Sequence, residues 1–125
     1  MSLREYIIKV REAIDRFDTY GFSESMDIRE EIRAGKQAII KIEVVLVDGS
    51  FLRIREYVEV KYQINKISYA YQYQDRDKKL IFRYDNAVHR PGLGFKEHKH
   101  MSSGEIINAE SPDISDLVDE VIGYI

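Results

Sequence analysis

All three histidines of this 125-residue chain fall within one short segment, at His89, His98 and His100. Arg83 and Asp85 lie just before them and add a guanidinium and a carboxylate. An imidazole changes its protonation state near neutral pH, so it serves as a general acid or base. A guanidinium binds phosphate through several N–H donors. These residue types predict a site that acts on a phosphate ester.

Metal-independent cleavage of RNA is one mechanism that this set fits. It needs a base for the ribose 2′-hydroxyl, an acid for the leaving 5′-oxygen and a cation for the charge of the phosphorane. His98 and His100 are the candidates for base and acid, Asp85 would orient an imidazole, and no cofactor is required. The catalytic candidates are Arg83, Asp85, His89, His98 and His100, and the candidates for substrate contacts are Arg90, Lys99 and Tyr71.

Two alternatives stay open at this point. The first is a metal-dependent nuclease, because three imidazoles and a carboxylate form a ligand set suited to zinc or manganese. Its ligands would be Asp85, His89, His98 and His100. The second is a non-enzymatic binding module, in which the histidine loop and an exposed Tyr71 or Tyr73 recognise a protein or a nucleic acid.

Composition limits the class of protein. The chain has no Cys, which excludes disulfides, thiolate nucleophiles and Cys-type zinc sites. Its net charge is −3, so a nucleic-acid partner would need a local basic groove. The amino terminus lacks the apolar core of a signal peptide, and no apolar run has the length of a membrane span. We expect one cytoplasmic domain over residues 1–125.

Helical patterns at the two ends flank the elements that must position the site. Apolar residues recur at three- and four-residue intervals over residues 3–17, with Ser2 and Glu5 as a capping box and Gly21 as the end. The last segment repeats this pattern from Ile114 onwards. Ser111 is the predicted N-cap of that second helix, and Pro112 suits its first position.

The middle of the chain has the pattern of β-strands. Residues 38–47 and 51–60 are two apolar runs joined by Asp48-Gly49, a strong hairpin turn. Alternating tyrosines over residues 69–73 and the segment 80–86 predict another hairpin, and residues 23–33 favour a further strand. The predicted fold is α+β: an antiparallel meander sheet of about five or six strands, packed by N- and C-terminal helices.

The candidate residues also belong to a longer pattern. It runs Ser68-Tyr69-Ala70-Tyr71-Gln72-Tyr73, then Ile81-Phe82-Arg83-Tyr84-Asp85-Asn86-Ala87, then His89 and His98-Lys99-His100, with Asp48-Gly49-Ser50-Phe51-Leu52 and Glu56 upstream. This pattern resembles the TumE family of prokaryotic toxins over roughly residues 46–100 and on to the terminal helix.

The resemblance implies a cytoplasmic toxin that is neutralised by a cognate antitoxin, often a helix-turn-helix protein. It leaves the reaction open, with RNA as the substrate that the residues themselves suggest. A homodimer is compatible with it. One position departs from the family: members often show His-His-x-His where this chain has Glu97-His98-Lys99-His100.

Overall fold

The computed structural model describes residues 1–88, 92 and 94–125, and this part of the chain forms two helices and seven strands. In chain order the elements are α1 (Leu3–Thr19), β1 (Ser23–Arg33), β2 (Gln37–Leu46), β3 (Phe51–Val60), β4 (Ile64–Gln74), β5 (Leu80–Asp85), β6 (His98–Met101), β7 (Ile106–Asn108) and α2 (Ile114–Ile122). Neither helix in the described residues is both long enough and apolar enough to cross a membrane.

Helix α1 forms where the apolar stripe predicts it. The Ser2 side chain accepts a hydrogen bond from the backbone N–H of Glu5 at 3.1 Å, which satisfies one of the donors at the start of the helix. Gly21, just past the end, adopts a φ of 75°, in the left-handed region that glycine enters without steric cost. The stripe is buried against the sheet through Ile14 and Phe17, both fully inaccessible to solvent.

The seven strands form one sheet in which every strand pairs antiparallel with the next along the chain. The α+β meander packed by terminal helices is confirmed, and so is the strand at Ser23–Arg33. The sheet has slightly more strands than the five or six expected. The last two, β6 and β7, are four and three residues long, too short for a clear alternation of apolar and polar residues.

Helices α1 and α2 pack on one face of the sheet and close a single core. Alternate residues of each strand point into that core, because side chains alternate between the faces of a strand. The opposite face, called the open face below, carries the intervening residues. In the central strands it presents Lys41, Arg53, Arg55, Ala70, Gln72, Arg83, Asp85, His98 and His100.

The start of α2 differs from the prediction. Asp113, rather than Ser111, is the N-cap, and its carboxylate accepts from the backbone N–H of Asp116 at 2.7 Å. Pro112 therefore precedes the cap and does not occupy the first turn. Ser111 instead accepts a hydrogen bond from Lys66 Nζ at 2.6 Å, which ties the segment before α2 to β4.

Candidate functional site

The carboxylate of Asp85 is the centre of a charged cluster on the open face. Strands β5 and β6 pair in a register that places Asp85 opposite His98 and Arg83 opposite His100. Arg83 Nε donates to Asp85 Oδ2 at 2.8 Å. His98 Nδ1 lies 3.2 Å from Asp85 Oδ1, and His100 Nε2 lies 3.3 Å from Asp85 Oδ2. One carboxylate thus orients three of the predicted site residues.

Burial divides this cluster into an inner and an outer pair. The side chains of Asp85 and His98 are only 4% and 3% exposed, whereas those of His100 and Arg83 are 19% and 35% exposed. The outer pair is therefore accessible to a ligand. Because Arg83 and His100 are direct cross-strand neighbours, their side chains emerge side by side.

Both ring nitrogens of His98 face hydrogen-bond acceptors. Nε2 donates to the carbonyl oxygen of Phe95 at 2.8 Å, and Nδ1 faces the carboxylate of Asp85. A carbonyl oxygen and an ionised carboxylate only accept, so this arrangement is satisfied when both nitrogens carry a proton. The bond to Phe95 fixes the His98 ring against Asp85.

The same contacts determine the ionisation of Asp85. Burial opposes its charged form, but the hydrogen bonds from Arg83 and His98 and the charges of His100 and Arg83 outweigh burial. The pKa of Asp85 is therefore lowered from its ordinary value. The cluster keeps a fixed negative charge at its centre in the neutral pH range.

Arg83 is held from two sides. Its Nη1 donates to Gln72 Oε1 at 2.8 Å, while its Nε donates to Asp85. A guanidinium carries five N–H donors, and these two bonds engage only two of them. Arg83 is thus oriented without its capacity to bind a phosphate being used up.

Two other predicted site residues, His89 and Arg90, lie outside the described residues, so their predicted roles stay predictions. Lys99, which was predicted to contact the substrate, does not lie beside Asp85. Its side chain points to the helix-covered face, where Nζ donates to Glu120 Oε2 at 2.7 Å and lies 4.9 Å from the centre of the Tyr84 ring. Alternation along β6 puts Lys99 on the face opposite His98 and His100.

Tyr71 does not have the exposure expected of a substrate contact, because it is completely buried. Its hydroxyl donates to Glu56, a buried carboxylate that also accepts from the Tyr6 hydroxyl at 2.5 Å. Tyr73 is buried as well and donates to Ser50 at 2.8 Å. The tyrosines of β4 therefore belong to the core.

Asn86 extends the pairing of β4 and β5 beyond the end of the strand. Its Oδ1 accepts from the backbone N–H of Tyr69 at 3.0 Å, and its Nδ2 donates to the carbonyl oxygen of Ile67 at 3.1 Å. The Tyr69 hydroxyl in turn donates to Glu97, the residue before His98. Asn86 fixes the point at which the chain leaves β5, next to the charged cluster.

Glu56 was noted only as part of the family pattern and not as a buried group, although the sequence contains a signal for its burial. Along β3 the helix-facing positions are Leu52, Ile54, Glu56 and Val58, so one carboxylate replaces an apolar residue in a regular alternation. A charge at a core position is buried only with partners. Here the partners are two tyrosine hydroxyls and Lys66, whose Nζ lies 3.6 Å away. This second cluster ties α1 to the sheet.

A cavity of about 560 Å3 opens beside Arg83 and Asp85 on the open face. Its size lies within the usual range for small-ligand sites, about 300–1,000 Å3. Its lining is formed by residues 39, 55–57, 67–70, 83 and 85–88. Arg83 of the outer pair therefore borders a space that a ligand can occupy, and His100 is its cross-strand neighbour.

The metal alternative has no further support in the described part of the chain. Within residues 1–88, 92 and 94–125, no group of three or more His, Cys, Asp or Glu side chains has an arrangement suited to a metal ion. His89, one of the four ligands of the zinc or manganese hypothesis, is outside these ranges. The metal hypothesis is therefore left to experiment.

Comparison with known protein families gives a match over residues 10–125 to the family described as Toxin TumE. Neither the curated proteins nor the solved structures give a match. A toxin of this kind implies a cognate antitoxin as its partner. Since the family match covers nearly the whole chain, including β5, β6 and the charged cluster, the chain belongs to the TumE toxin family.

Proposed function

We propose that this chain is the toxin of a toxin–antitoxin pair and that it cleaves RNA without a metal ion. The observation that carries the proposal is the placement of Arg83 and His100 as cross-strand neighbours, both next to buried Asp85, with Arg83 also lining the cavity. A cation for the phosphorane charge and an imidazole as the base are two of the three groups that RNA cleavage requires.

The reaction is an attack of the ribose 2′-oxygen on the adjacent phosphorus. A bond forms between the 2′-oxygen and phosphorus, and the bond from phosphorus to the 5′-oxygen breaks. His100 takes the proton of the 2′-hydroxyl, and the leaving 5′-oxygen takes a proton from water. Arg83 binds the non-bridging oxygens, whose negative charge increases in the transition state. The products are a 2′,3′-cyclic phosphate and a 5′-hydroxyl.

Asp85 and His98 act through this outer pair. Nε2 of His100 lies 3.3 Å from the carboxylate of Asp85, so a neutral imidazole that carries its proton on Nε2 has its lone pair on Nδ1. Asp85 thereby selects the tautomer that accepts the proton, as a carboxylate does for the histidine of a catalytic triad. His98, buried and bonded to Phe95, keeps Asp85 from turning away.

The test is cleavage of a labelled single-stranded RNA in EDTA, with the ends of the products identified. Wild type should give 2′,3′-cyclic phosphate ends. Arg83→Gln should cut at least a hundredfold more slowly, in line with the loss of one charge-stabilising donor, about 10²–10³. Arg53→Gln is the matched control, because Arg53 lies on the same face two strands away, outside the cavity lining.

Other outcomes would reject the proposal. Cleavage that occurs only after zinc or manganese is added would favour the metal-dependent nuclease. Intact RNA under all conditions, together with growth arrest on expression, would favour the non-enzymatic binding module. Equal cutting by a double variant, His98→Ala with His100→Ala, would remove both histidines from the mechanism.

The partner and the cellular location follow from the same proposal. We infer that the antitoxin is a helix-turn-helix protein encoded beside this chain, and that the reaction takes place in the cytoplasm, where the RNA is. Co-expression of the neighbouring gene should yield a complex that co-purifies and relieves growth arrest. Light scattering of the free chain would show whether it also forms a homodimer.

A further inference from the structure

The cavity beside Arg83 has an apolar half that cleavage chemistry does not use. Its floor is Ala70, which lies between Arg55 and Asp85 in the register of β3, β4 and β5. The small side chain of Ala70 between Arg55 and Asp85 leaves a hollow. Ile39 and Tyr57, which are direct partners on β2 and β3, line the hollow. We call the surface formed by Ile39, Tyr57, Ile67 and Ala70 the base hollow.

Apolar groups at the base hollow are open to solvent. Ile67, at a register shift between β3 and β4, is 44% exposed, and Val88 on the rim is 86% exposed. Exposed apolar surface next to a charged cluster is typical of a place where a ligand with an apolar face docks. The aromatic ring of Tyr57 adds a surface on which a planar group stacks.

Two guanidinium groups flank the base hollow. Arg83 lies on β5 and Arg55 on β3, so one strand separates them, and with an offset of two residues along the strands their backbones are about 12 Å apart. Arg55 is held by Glu43, to which its Nη2 donates at 3.1 Å, and remains 35% exposed. An apolar hollow with a cation on either side is complementary to a nucleotide in a chain, which has a base flanked by two phosphates.

Arg55 belongs to a row of cations that crosses the open face. Arg29 pairs with Lys41 and Lys41 with Arg55, so three cations cross the open face from the edge strand to the base hollow. Asp27 and Glu43 lie in the neighbouring row and partly neutralise it. The row nevertheless leads to the base hollow with positive charge at each position, as expected of a surface that binds a phosphate backbone.

From these observations we infer that the base hollow holds the unpaired base of the nucleotide next to the cleaved phosphate, in a single-stranded RNA that crosses the open face. Arg83 binds the cleaved phosphate and Arg55 binds the phosphate on the other side of that nucleotide. A base reaches such a hollow only when it is neither paired nor stacked in a duplex, so double-stranded RNA is excluded. This inference rests on the proposed function and specifies its substrate.

Equilibrium binding tests the inference without requiring cleavage. The probes are a fluorescent 2′-O-methyl RNA tetranucleotide, which cannot be cut, and versions with one abasic residue at each position in turn. Ala70→Leu fills the hollow, and Ala34→Leu, in the exposed turn between β1 and β2, is its matched control. Arg55→Gln is compared with Arg53→Gln, since both arginines lie on β3 and face Glu43.

We expect wild type to bind the intact tetranucleotide about tenfold or more tightly than the version that lacks the base in the hollow. Ala70→Leu should lose that preference, and Ala34→Leu should keep it. Arg55→Gln should remove about one phosphate contact. The slope of the logarithm of the binding constant against the logarithm of the salt concentration should therefore change by about 0.7, while Arg53→Gln should leave that slope unchanged. If Ala70→Leu does not fold, Ile67→Gln at the exposed rim gives the same comparison.

The inference would be overturned if wild type bound the intact tetranucleotide and every abasic version with the same affinity. It would also be overturned if Ala70→Leu kept the wild-type preference for the intact tetranucleotide. Failure of the proposed function looks different. RNA that is bound with base preference and never cut rejects the cleavage mechanism alone, whereas RNA that is cut without base preference rejects the base hollow alone. Binding of the antitoxin, and of no tetranucleotide, in the hollow would assign this surface to the partner instead.

Discussion

Replacing Asp85 with Asn tests whether one buried carboxylate holds the charged cluster together. In the wild type this carboxylate faces Arg83, His98 and His100 at distances of 2.8, 3.2 and 3.3 Å. Asparagine keeps the size of the side chain but removes the negative charge, and its amide nitrogen only donates. The variant therefore leaves the buried imidazole of His98 and the guanidinium of Arg83 without a carboxylate partner.

The cost follows from how deeply each partner is buried. Removing one member of a fully buried ion pair costs about 3–5 kcal/mol. Asp85 and His98 have burial of that kind, at 4% and 3% exposure, but water reaches Arg83 and His100 and reduces their contribution. We expect Asp85→Asn to lower the free energy of unfolding by about 2–4 kcal/mol at pH 7. That is a large part of the 5–15 kcal/mol typical of a domain.

The loss should depend on pH in a defined direction. Burial raises the pKa of Asp85, and the stronger opposing effect of Arg83, His98 and His100 brings that pKa below the ordinary value. A carboxyl with a lowered folded pKa contributes stability that is fully present above about pH 4, the unfolded pKa. That contribution disappears as the pH falls through the folded pKa. The difference in the free energy of unfolding between wild type and Asp85→Asn should therefore become smaller in acid.

Urea unfolding followed by circular dichroism at pH 7 and at pH 3 measures both effects. Asp27→Asn is the control, because Asp27 is 55% exposed and pairs with Arg29 on the same face. An exposed pair of this kind contributes about 0–1 kcal/mol. Equal losses for the two variants, or a gap for Asp85→Asn that stays constant in acid, would refute the role assigned to Asp85.

Four further variants test the placement of single side chains. Lys99→Ala should lower stability by about 1–2 kcal/mol, because its ion pair with α2 is lost, and leave the rate of RNA cleavage unchanged; a slower rate would return Lys99 to the site. Tyr71→Phe should lower the free energy of unfolding by about 1.5–3 kcal/mol, because the buried carboxylate of Glu56 loses a donor. Tyr73→Phe, which loses a hydrogen bond between neutral groups, should cost about 1 kcal/mol, and the reverse order would contradict the burial of charge at Glu56. Asp113→Ala should cost about 1 kcal/mol in the same urea experiment as the loss of a helix cap, and no change would contradict that cap.

Local chemistry made the ends of several elements predictable. Ser2 caps α1 as its spacing from Glu5 indicates, and Asp48-Gly49 forms the turn between β2 and β3, with Gly49 at a φ of 84°. These features depend on residues a few positions apart. The error at Ser111 has the same origin, since Ser111 and Asp113 are both good N-caps and only packing against β4 selects between them.

The position of Lys99 could have been derived from the sequence. If His98 and His100 share one face of a strand, Lys99 must lie on the other face. The burial of Tyr71 could not have been derived in this way. Alternation groups Tyr69, Tyr71 and Tyr73 on one face, but which face the helices cover is decided by packing across the whole sheet.

The arrangement of the charged cluster was only partly predictable. Period-two alternation put Arg83 and Asp85 on one face of β5, and this is confirmed by their hydrogen bond. The register that sets Arg83 beside His100 depends on how residues 86–97 return the chain to the sheet. The burial of His98 and the exposure of His100 follow from that register. No local pattern separates two histidines that are two residues apart.

The rate of RNA cleavage by His100→Ala tests the central claim most directly. Single-turnover cleavage of a single-stranded RNA in EDTA is compared for wild type, His100→Ala and Lys99→Ala, after circular dichroism has shown that all three are folded. A general acid or base contributes about 10²–10⁴ to a rate, so we predict at least a hundredfold loss for His100→Ala and wild-type activity for Lys99→Ala. Equal rates for His100→Ala and wild type, or RNA that the wild type leaves intact, would contradict the claim that Asp85 orients Arg83 and His100 for catalysis.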